Sequence, residues 1–360
     1  MNMINSSTYI AALQKIRFDN LHGKTFLITG ATGMIGGCLV DTLMQWNMER
    51  SAGCHVVAVG RSVAAARRRF ESYWGHTAFS FVEQDVCRQL AGLPPRIDYI
   101  IHAASNADPA CFSSAPVDTL MANVVGTNQL LSYGISHGMT RFLYISSGEM
   151  YGQPNDRMDD FVEEYCGPIN YGSSRACYPA GKRAAEALCQ SYISQYQTNI
   201  TIVRPCHLFG PTMMQRDSRA VSEFIRNAVC KNDIVMKSAG LIERSHCYVV
   251  DAVQAILLVL SYGNCGGAYN IADPRYQMTI RDFAFQCAEL GGCKVIFEHP
   301  SDLEARGYST ISRSVLNAGK LLDLGWEPNC AEGSAIYETI KILRELGTPI
   351  CNKREYPDGV

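Results

Sequence analysis

The chain has 360 residues, of which 47% are hydrophobic, and its formal net charge is −2 at pH 7. A chain of this length and composition can bury a large hydrophobic core. Its near-neutral net charge does not indicate a nucleic-acid-binding surface. The fifteen cysteines include no C-x-x-C pair, which argues against a metal centre. The N-terminus has no signal-peptide pattern, and no apolar run approaches the length of a membrane span. We therefore expect a soluble cytoplasmic protein without a membrane partner.

The N-terminal arm, residues 1–23, contains apolar residues with helical spacing. Tyr9, Leu13 and Ile16 fall on one face of such a helix. The spacing predicts a short helix that packs beside the main domain.

A glycine-rich turn follows the first predicted strand, residues 24–29 (KTFLIT). Its glycines have the spacing G-x-x-G-x-x-G, and Leu39, Leu43 and Trp46 continue with helical spacing. Glycines there permit a tight turn and a close approach to a pyrophosphate, which rests on the positive end of the helix. The unit predicts a dinucleotide site with these cofactor-binding residues: Gly30, Thr32, Gly33, Met34, Ile35 and Gly36.

The second predicted strand, residues 55–59, ends where the adenosine ribose of a dinucleotide would lie. An acidic residue at that point binds the ribose 2′-hydroxyl and indicates NAD(H), but this chain has Gly60 and Arg61 instead. Since arginine makes charge-assisted bidentate bonds to phosphate, Arg61 favours NADP(H), and NAD(H) stays open. The alternative is that Arg61 faces solvent, as we expect for the arginines at 67–69.

Further predicted strands, at residues 79–82, 99–102 and 142–146, alternate with helical stretches. This alternation predicts an α/β fold with a doubly wound parallel (Rossmann) sheet, whose ligands bind at the carboxyl ends of the strands. Residues near those ends are therefore candidate cofactor contacts: Asp85 (a candidate acceptor for the adenine amino group), Val86, Ala103, Ala104, Ser105 and, on the next helix, Asn123.

The candidate catalytic group is built around Tyr178 and Lys182. The two residues lie four apart in a helical stretch, so their side chains project from one face. A nearby ammonium favours a phenolate, and we therefore expect the pKa of Tyr178 to lie below its ordinary value. Ser147 and Glu149 follow a predicted strand end and complete the group. The alternatives are a surface Tyr–Lys pair and a Ser147 hydroxyl that only caps a loop.

The remaining chain predicts a smaller, discontinuous α/β substrate lobe that is interleaved with the cofactor domain. A helix is predicted over 279–291, with Thr279 and Asp282 as a variant of the capping box. The predicted division is an N-terminal arm (1–23), a Rossmann domain (24–205 and 245–271), a nucleotide-sugar-binding lobe (206–244 and 272–350) and a tail (351–360).

Several short motifs occur in order between residues 24 and 345: TGATGMIG (29–36), HAAS (102–105), NVVGT (123–127), SSGEMYG (146–152), YPAGK (178–182), VRPCHLFGP (203–211) and RSHCYVVDAV (244–253). In these motifs the chain resembles the extended short-chain dehydrogenase/reductase family, in particular the enzymes that modify nucleotide sugars. The strongest local likeness is to UDP-glucuronate decarboxylases, whose R-x-C-Y-x-x-G-K-R run is similar to residues 175–183.

The resemblance implies roles for the catalytic candidates. Tyr178 would be the general acid/base, Lys182 would hold the nicotinamide ribose, and Ser147 would bind the oxygen at C4 of the sugar. Hydride would then move between C4 and the nicotinamide while Tyr178 moves the hydroxyl proton. A scaffold or binding module is disfavoured, because a non-catalytic relative has no chemical need for all three side chains.

The resemblance also implies substrate contacts and an assembly. Arg219 and Arg244 would grip the diphosphate or nucleotide, although either residue could instead form an interlobe salt bridge. His207 replaces the Asn of the family's R-P-x-N motif and could donate to a phosphate oxygen. Two helices of the first domain commonly pair across a dimer interface in this family, so the resemblance implies a homodimer.

Position 148 departs from the family pattern. In the dehydratases an S-T-D-E run supplies an Asp acid and a Glu base for the loss of water, and decarboxylases typically have Ser at the Asp position. This chain has Gly148, while Glu149 remains. The sequence therefore gives little support to dehydration.

The missing acid and Arg61 together favour net reduction, which needs only Ser147, Tyr178 and Lys182. We therefore expect an NADPH-dependent 4-ketoreductase of a nucleotide-linked deoxysugar, such as a dTDP-4-dehydro-6-deoxyhexose, in surface polysaccharide sugar synthesis. The alternative is a UDP-glucuronate decarboxylase or a nucleotide-sugar C4 epimerase or dehydratase that recycles NAD internally, with Glu149 as the base in an epimerase.

Overall fold

The structure is a computed structural model, and it describes residues 2–155, 160–299 and 313–347. The predicted tail at 351–360 lies outside the described residues, as do parts of the predicted substrate lobe. None of the helices in the described ranges combines the length and the apolar character that crossing a membrane requires.

Parallel strands form the central sheet: β1 (Thr25–Thr29), β2 (His55–Gly60), β3 (Phe79–Glu83), β4 (Tyr99–His102), β5 (Arg141–Ile145), β6 (Ile200–Pro205) and β10 (Ala268–Ile271). Their order in this seven-stranded sheet is β10-β6-β5-β4-β1-β2-β3. The chain starts in the middle and winds outwards in both directions, and this topology confirms the predicted doubly wound Rossmann sheet. The strands are mostly apolar and buried, as a sheet with two covered faces requires.

Alternate residues of each strand enter different hydrophobic clusters. On β1, Phe26 and Ile28 pack on one side with Leu39 and Leu43, while Leu27 packs on the other side with Leu130. The period of two along a strand thus places a helical layer on each face of the sheet. The α-helices of the described ranges are α1 (Ser7–Leu13), α2 (Met34–Arg50), α3 (Val63–Arg69), α4 (Pro109–Ser114), α5 (Pro116–Ser136), α6 (Cys177–Tyr196), α7 (Ala220–Cys230), α8 (Val249–Tyr262), α9 (Ile280–Gly291), α10 (Gly319–Asp323) and α11 (Ala335–Glu345).

Short strands build the second lobe: β7 (His207–Phe209), β8 (Ile234–Met236), β9 (Glu243–Tyr248), β11 (Gln277–Thr279), β12 (Val295–Phe297) and β13 (Arg313–Ser314). Strand β9 pairs with β7, β11 and β13, while β8 pairs with β12. The domain boundary that we placed at residue 245 falls inside β9. Helix α9 begins with the predicted capping box, in which Thr279 and Asp282 each bond the other's backbone N–H.

The N-terminal arm is held to the Rossmann domain by a buried polar cluster around Asp41. Tyr9 donates its hydroxyl to Asp41 Oδ2 at 2.9 Å, and Arg69 forms an ion pair with the same carboxylate. The expectation that Arg69 faces solvent is therefore wrong. A fully buried carboxylate on α2 needs a cation beside it, and Arg69 supplies that charge.

Candidate active site

The glycine turn between β1 and α2 has almost no room for side chains. Gly30 has φ +64°, and a Cβ added there would lie 2.7 Å from the carbonyl oxygen of Ala103. A Cβ at Gly36 would lie 2.3 Å from the carbonyl oxygen of Gly30. Gly33 is the N-cap of α2 and has no side-chain cap, so the first N–H groups of this long helix are available to a ligand. These features fit the pyrophosphate of a dinucleotide, as the sequence predicts.

The loop after β4 lies directly against this turn. The Ala104 N–H donates to Thr29 Oγ1 at 3.2 Å, and the same hydroxyl lies 2.8 Å from His102 Nδ1. Ser105 Oγ donates to Asn123 Oδ1 at 3.2 Å, which ties the end of the loop to α5. The structure therefore brings the predicted contacts from the loop and from α5 together with the glycine turn.

The predicted adenine-side residues take different positions. Asp85 accepts a hydrogen bond from the Cys87 N–H at 2.9 Å, while Val86 is buried against α5. Arg61 is exposed just beyond the end of β2. The next helix begins with Val63, whose N–H donates to a carboxylate oxygen of Glu83 at 3.0 Å. A carboxylate at that helix start disfavours a phosphate there, because the two anions repel each other.

Tyr178 and Lys182 lie on α6, and both side chains are buried. Lys182 Nζ donates to the carbonyl oxygen of Ile145 at 2.7 Å, and it lies 4.9 Å from the ring centroid of Tyr144 and 5.7 Å from that of Tyr178. Burial lowers the pKa of Lys182 to about 7. The pair shares one helix face as predicted, and the carbonyl at the end of β5 fixes the amine.

The predicted lowering of the Tyr178 pKa is wrong. Burial, and then the negative charge of Glu149, raise the pKa of Tyr178 to about 12, while a hydrogen bond with Ser147 and the charges of Arg219 and Arg175 act in the opposite direction. Desolvation of a phenol that is only 7% exposed thus outweighs the nearby cations. Because burial also lowers the pKa of Lys182 to about 7, its amine is neutral at the pH where this phenol titrates.

Ser147 and Glu149 lie beside Tyr178 at the carboxyl end of β5. Ser147 Oγ accepts from the Glu149 N–H at 3.2 Å, so it caps the turn, and it is close enough to Tyr178 to act on the pKa of the phenol. Glu149 Oε2 accepts from Arg175 Nη2 at 2.8 Å. The side chains of Glu149 and Arg175 are 29% and 46% exposed, so this ion pair is open to solvent and to ligands.

A stack of flat groups holds the phenol in place. The rings of Phe112 and Tyr178 are stacked with centroids 4.7 Å apart and an interplanar angle of 23°. The guanidinium carbon of Arg175 lies 4.4 Å from the Phe112 ring centroid. Phe112 is 1% exposed on α4, which starts with Asp108 as its N-cap and Pro109 in its first turn. The stack connects α4, α6 and the Glu149 turn.

Two of the predicted substrate residues are in contact at the junction of the lobes. Arg244 Nη1 lies 2.7 Å from His207 Nε2, with the two residues on the neighbouring strands β9 and β7. Arg244 Nε and His207 Nδ1 are buried and find no hydrogen-bond partner within the described ranges. Unpaired buried donors of this kind are costly unless a ligand satisfies them, and a phosphate oxygen is a suitable acceptor.

Arg219, the third predicted substrate residue, is bound by a residue of its own lobe. Its Nε lies 3.0 and 3.1 Å from the carboxylate oxygens of Asp217, and its Nη2 lies 2.5 Å from Oδ2. The arginine is close enough to Tyr178 for its charge to act on the phenol. Asp217 therefore pre-orients the guanidinium of Arg219. This ion pair lies within one lobe, so it is not the interlobe salt bridge that we considered as an alternative.

Sequence reasoning missed Arg175, Phe112 and Asp217. Arg175 precedes Tyr178 by three residues, a helical spacing that could have identified it. Asp217 lies two residues before Arg219, close enough to suggest a pair. Phe112 had no signal, because its distance to Tyr178 depends on the path of the loop after β4.

Comparisons with known proteins identify the family. Residues 26–272 match the NAD dependent epimerase/dehydratase family. The chain is 31% identical over 326 residues to UDP-glucuronic acid decarboxylase 1 of Xenopus tropicalis, which covers 89% of this chain and 72% of the relative. It is 32% identical over 329 residues to UDP-glucuronic acid decarboxylase 6 of Arabidopsis thaliana, which covers 90% of each.

A solved structure shares the fold: the UDP-glucuronic acid 4-epimerase of Bacillus cereus, in complex with UDP-glucuronic acid and NAD, superposes with a TM-score of 0.73 and 20% identity. The superposition covers 89% of this chain and 99% of that chain. With the glycine turn, the Tyr178–Lys182 pair and the matched residues 26–272, the chain belongs to the NAD-dependent epimerase/dehydratase family of extended short-chain dehydrogenases/reductases.

Proposed function

We propose that the protein is a UDP-glucuronate decarboxylase that oxidises C4 of the sugar and then releases the C6 carboxylate as CO2. One observation carries this proposal: Arg175 pairs with Glu149, the charges of Arg175 and Arg219 act on Tyr178, Arg244 and Glu149 act on each other, and position 148 has no side chain. A uronate carries a carboxylate that suits such a cationic site, whereas a 4-keto-6-deoxyhexose has no charge on its sugar. The curated relatives named as UDP-glucuronic acid decarboxylases support the same choice.

The missing acid at position 148 is compatible with decarboxylation. Once C4 is a ketone, the C5–C6 bond breaks and its electrons delocalise onto the C4 oxygen, so no leaving hydroxyl has to be protonated. C5 then takes up a proton from solvent, and the C4 ketone is reduced again. Dehydration would require an acid beside the C6 hydroxyl, and Gly148 supplies none.

The residues of the chain divide the work as follows. Tyr178 would accept the C4 hydroxyl proton as a phenolate, which the positive charge of bound NAD+ would favour over the state without cofactor, and Ser147 would hydrogen-bond the same oxygen. Bound NAD would supply the hydride acceptor, and the glycine turn and Lys182 would hold it. The exposed Arg175–Glu149 pair is worth at most about 1 kcal/mol, so the arginine can exchange its partner for a substrate carboxylate at low cost.

We propose NAD as the cofactor. Arg61 is exposed, and the start of α3 beside it already binds the carboxylate of Glu83, so little in this region favours a 2′-phosphate. The epimerase of Bacillus cereus was solved with NAD. An enzyme that returns its hydride to the same sugar also needs no supply of reduced cofactor from solution.

The 4-ketoreductase expected from the sequence remains the second candidate. It is favoured by Gly60 and Arg61, because β2 ends without the carboxylate that binds a ribose 2′-hydroxyl. Such an enzyme would consume NADPH, which distinguishes the two candidates in an assay.

We also propose that the protein forms a homodimer through α5 and α6. These helices pack together on one face of the sheet, and their outer surfaces expose Val117, Met121 and Tyr196. Val117 and Met121 lie one turn apart near the start of α5, and exposed apolar neighbours of this kind favour an interaction site.

The direct test is turnover of UDP-glucuronate by the purified protein, with and without catalytic NAD and without any reductant. We expect release of one CO2 for each UDP-pentose formed, and we expect Tyr178→Phe to lower kcat by about 10²–10⁴-fold because the proton acceptor is lost. An absence of CO2, together with stoichiometric loss of NADPH absorbance on a dTDP-4-keto-6-deoxyhexose, would establish the reductase instead.

A further inference from the structure

Gly148 lies under a leucine from the second lobe. A Cβ added at Gly148 would lie 3.0 Å from Leu316 Cδ1, 3.2 Å from its Cδ2 and 3.5 Å from the carbonyl oxygen of Pro205. These distances to the methyl groups are tighter than ordinary van der Waals contact. Leu316, which is far from Gly148 in the sequence, therefore fills the space that a side chain at position 148 would need.

Leu316 is held firmly at this position. Its N–H donates to Ser245 Oγ at 3.0 Å, and the residues on either side of it bond to Phe161: the Phe161 N–H donates to the Val315 oxygen at 2.8 Å, and the Asn317 N–H donates to the Phe161 oxygen at 2.9 Å. These bonds fix the backbone on both sides of the leucine.

The side chain of Leu316 is also confined. It is 5% exposed and packs in a hydrophobic cluster with Met150, Tyr151 and Phe161. A leucine that is fixed by three backbone hydrogen bonds and enclosed by apolar side chains has little freedom to move away from residue 148.

Position 148 lies between Ser147, which bonds Tyr178, and Glu149, which pairs with Arg175. A side chain there would extend from the same turn that presents the candidate proton-transfer groups. By the resemblance to the dehydratases, an acid at this position would protonate a leaving C6 hydroxyl.

We propose that Leu316 is a specificity-determining residue that acts through position 148: it occupies the space of a side chain there, so the turn accommodates glycine and not an acid. The inference rests on the proposed function and narrows it. Without an acid at position 148 the oxidised sugar can still lose CO2, but a hydroxyl at C6 is not protonated and does not leave.

A double-mutant cycle tests the packing part of the proposal. Gly148→Asp in the otherwise unchanged protein should lower the melting temperature by about 2–5 °C, because the new side chain overpacks against the leucine. In a Leu316→Ala background, Gly148→Asp should lower the melting temperature clearly less. The control is a Leu321→Ala background, which removes an equally buried leucine from α10. There Gly148→Asp should lower the melting temperature by as much as in the unchanged protein. Equal costs in the two alanine backgrounds would overturn the proposal.

The chemical part is tested on UDP-glucose, whose C6 hydroxyl can leave. Dehydration would need Tyr178 to take the C4 hydroxyl proton while the C4 hydride passes to bound NAD+. Glu149 would then take the C5 proton, and the C6–O bond would break as the introduced acid protonates the leaving hydroxyl. Return of the hydride to C6 and of a proton to C5 would give a 4-keto-6-deoxy sugar. We expect this product from the Gly148→Asp/Leu316→Ala variant and at least ten-fold less from Gly148→Asp alone.

Two results would contradict this expectation: equal dehydration by the single and double variants, or none by a folded double variant that still oxidises C4. The melting cycle needs no turnover, and decarboxylation by the unchanged protein is assayed separately. Failure of the Leu316 proposal is therefore distinguishable from failure of the proposed function.

Discussion

At the scale of single residues, burial decides the protonation of the candidate catalytic pair. Desolvation raises the pKa of Tyr178 to about 12 and lowers that of Lys182 to about 7. Spacing in the sequence correctly placed the two side chains on one helix face. It could not show that the lysine bonds the Ile145 carbonyl, because that contact depends on how α6 packs against the end of β5.

The depressed pKa of Lys182 has a consequence for stability. Between pH 7 and the ordinary value near 10.5, the unfolded chain binds more protons at this residue than the folded chain. Its contribution to the free energy of unfolding therefore rises with pH across this window and is lost as the pH falls through about 7. In Lys182→Met, urea unfolding between pH 7 and 10 should show a smaller rise than in the unchanged protein.

The matched control for this experiment is Lys294→Met, which removes an exposed lysine. The control should keep the pH dependence of the unchanged protein. If Lys182→Met and Lys294→Met give the same dependence of the free energy of unfolding on pH, the pKa of Lys182 is not lowered by burial.

At the scale of secondary structure elements, the sequence predicted what local pattern determines. Strands β1 to β5, the helix after the glycine turn and the capping box of α9 all follow from periodicity and turn chemistry, and the structure confirms them. The Arg175–Phe112–Tyr178 stack was not predictable, because it joins α4 to α6 across more than sixty residues of chain. The contact between Leu316 and Gly148 escaped prediction for the same reason.

The stack identifies Phe112 as a positioning residue for Tyr178. In Phe112→Ala the phenol loses its stacking partner, and we expect kcat to fall by about 10–100-fold through misplacement of the hydroxyl. The pH profile of kcat should shift as well, because the burial that sets the Tyr178 pKa is relieved. Phe112→Tyr should restore most of the rate, since it keeps an aromatic ring in the stack.

Phe70→Ala provides the comparison, because Phe70 is equally buried in the cluster beside α3 and far along the sheet from Tyr178. Both alanine variants should lose about 3–5 kcal/mol of stability. If Phe112→Ala loses stability but keeps the rate and the pH profile of Phe70→Ala, Phe112 has only a packing role.

At the scale of the whole molecule, the two lobes contribute different parts of one reaction. The Rossmann domain supplies the glycine turn, Tyr178 and Lys182, which fit hydride transfer at a sugar carbon. The second lobe supplies Arg219 and Arg244, which suit the anionic parts of a nucleotide sugar. From the sequence alone, the evidence of these two arginines for an anionic substrate could not be compared with the evidence of Arg61 for NADP(H). On the proposed function, the enzyme keeps its hydride in the site.

Retention of that hydride is the central claim, and UDP-glucuronate deuterated at C4 tests it most directly. If C4 is oxidised and reduced within one binding event, the UDP-pentose should keep its deuterium at C4 after one CO2 has left, as mass spectrometry of the product would show. Deuterium transferred to cofactor in solution, or a C4 that is reduced only when NADPH is added, would contradict the account.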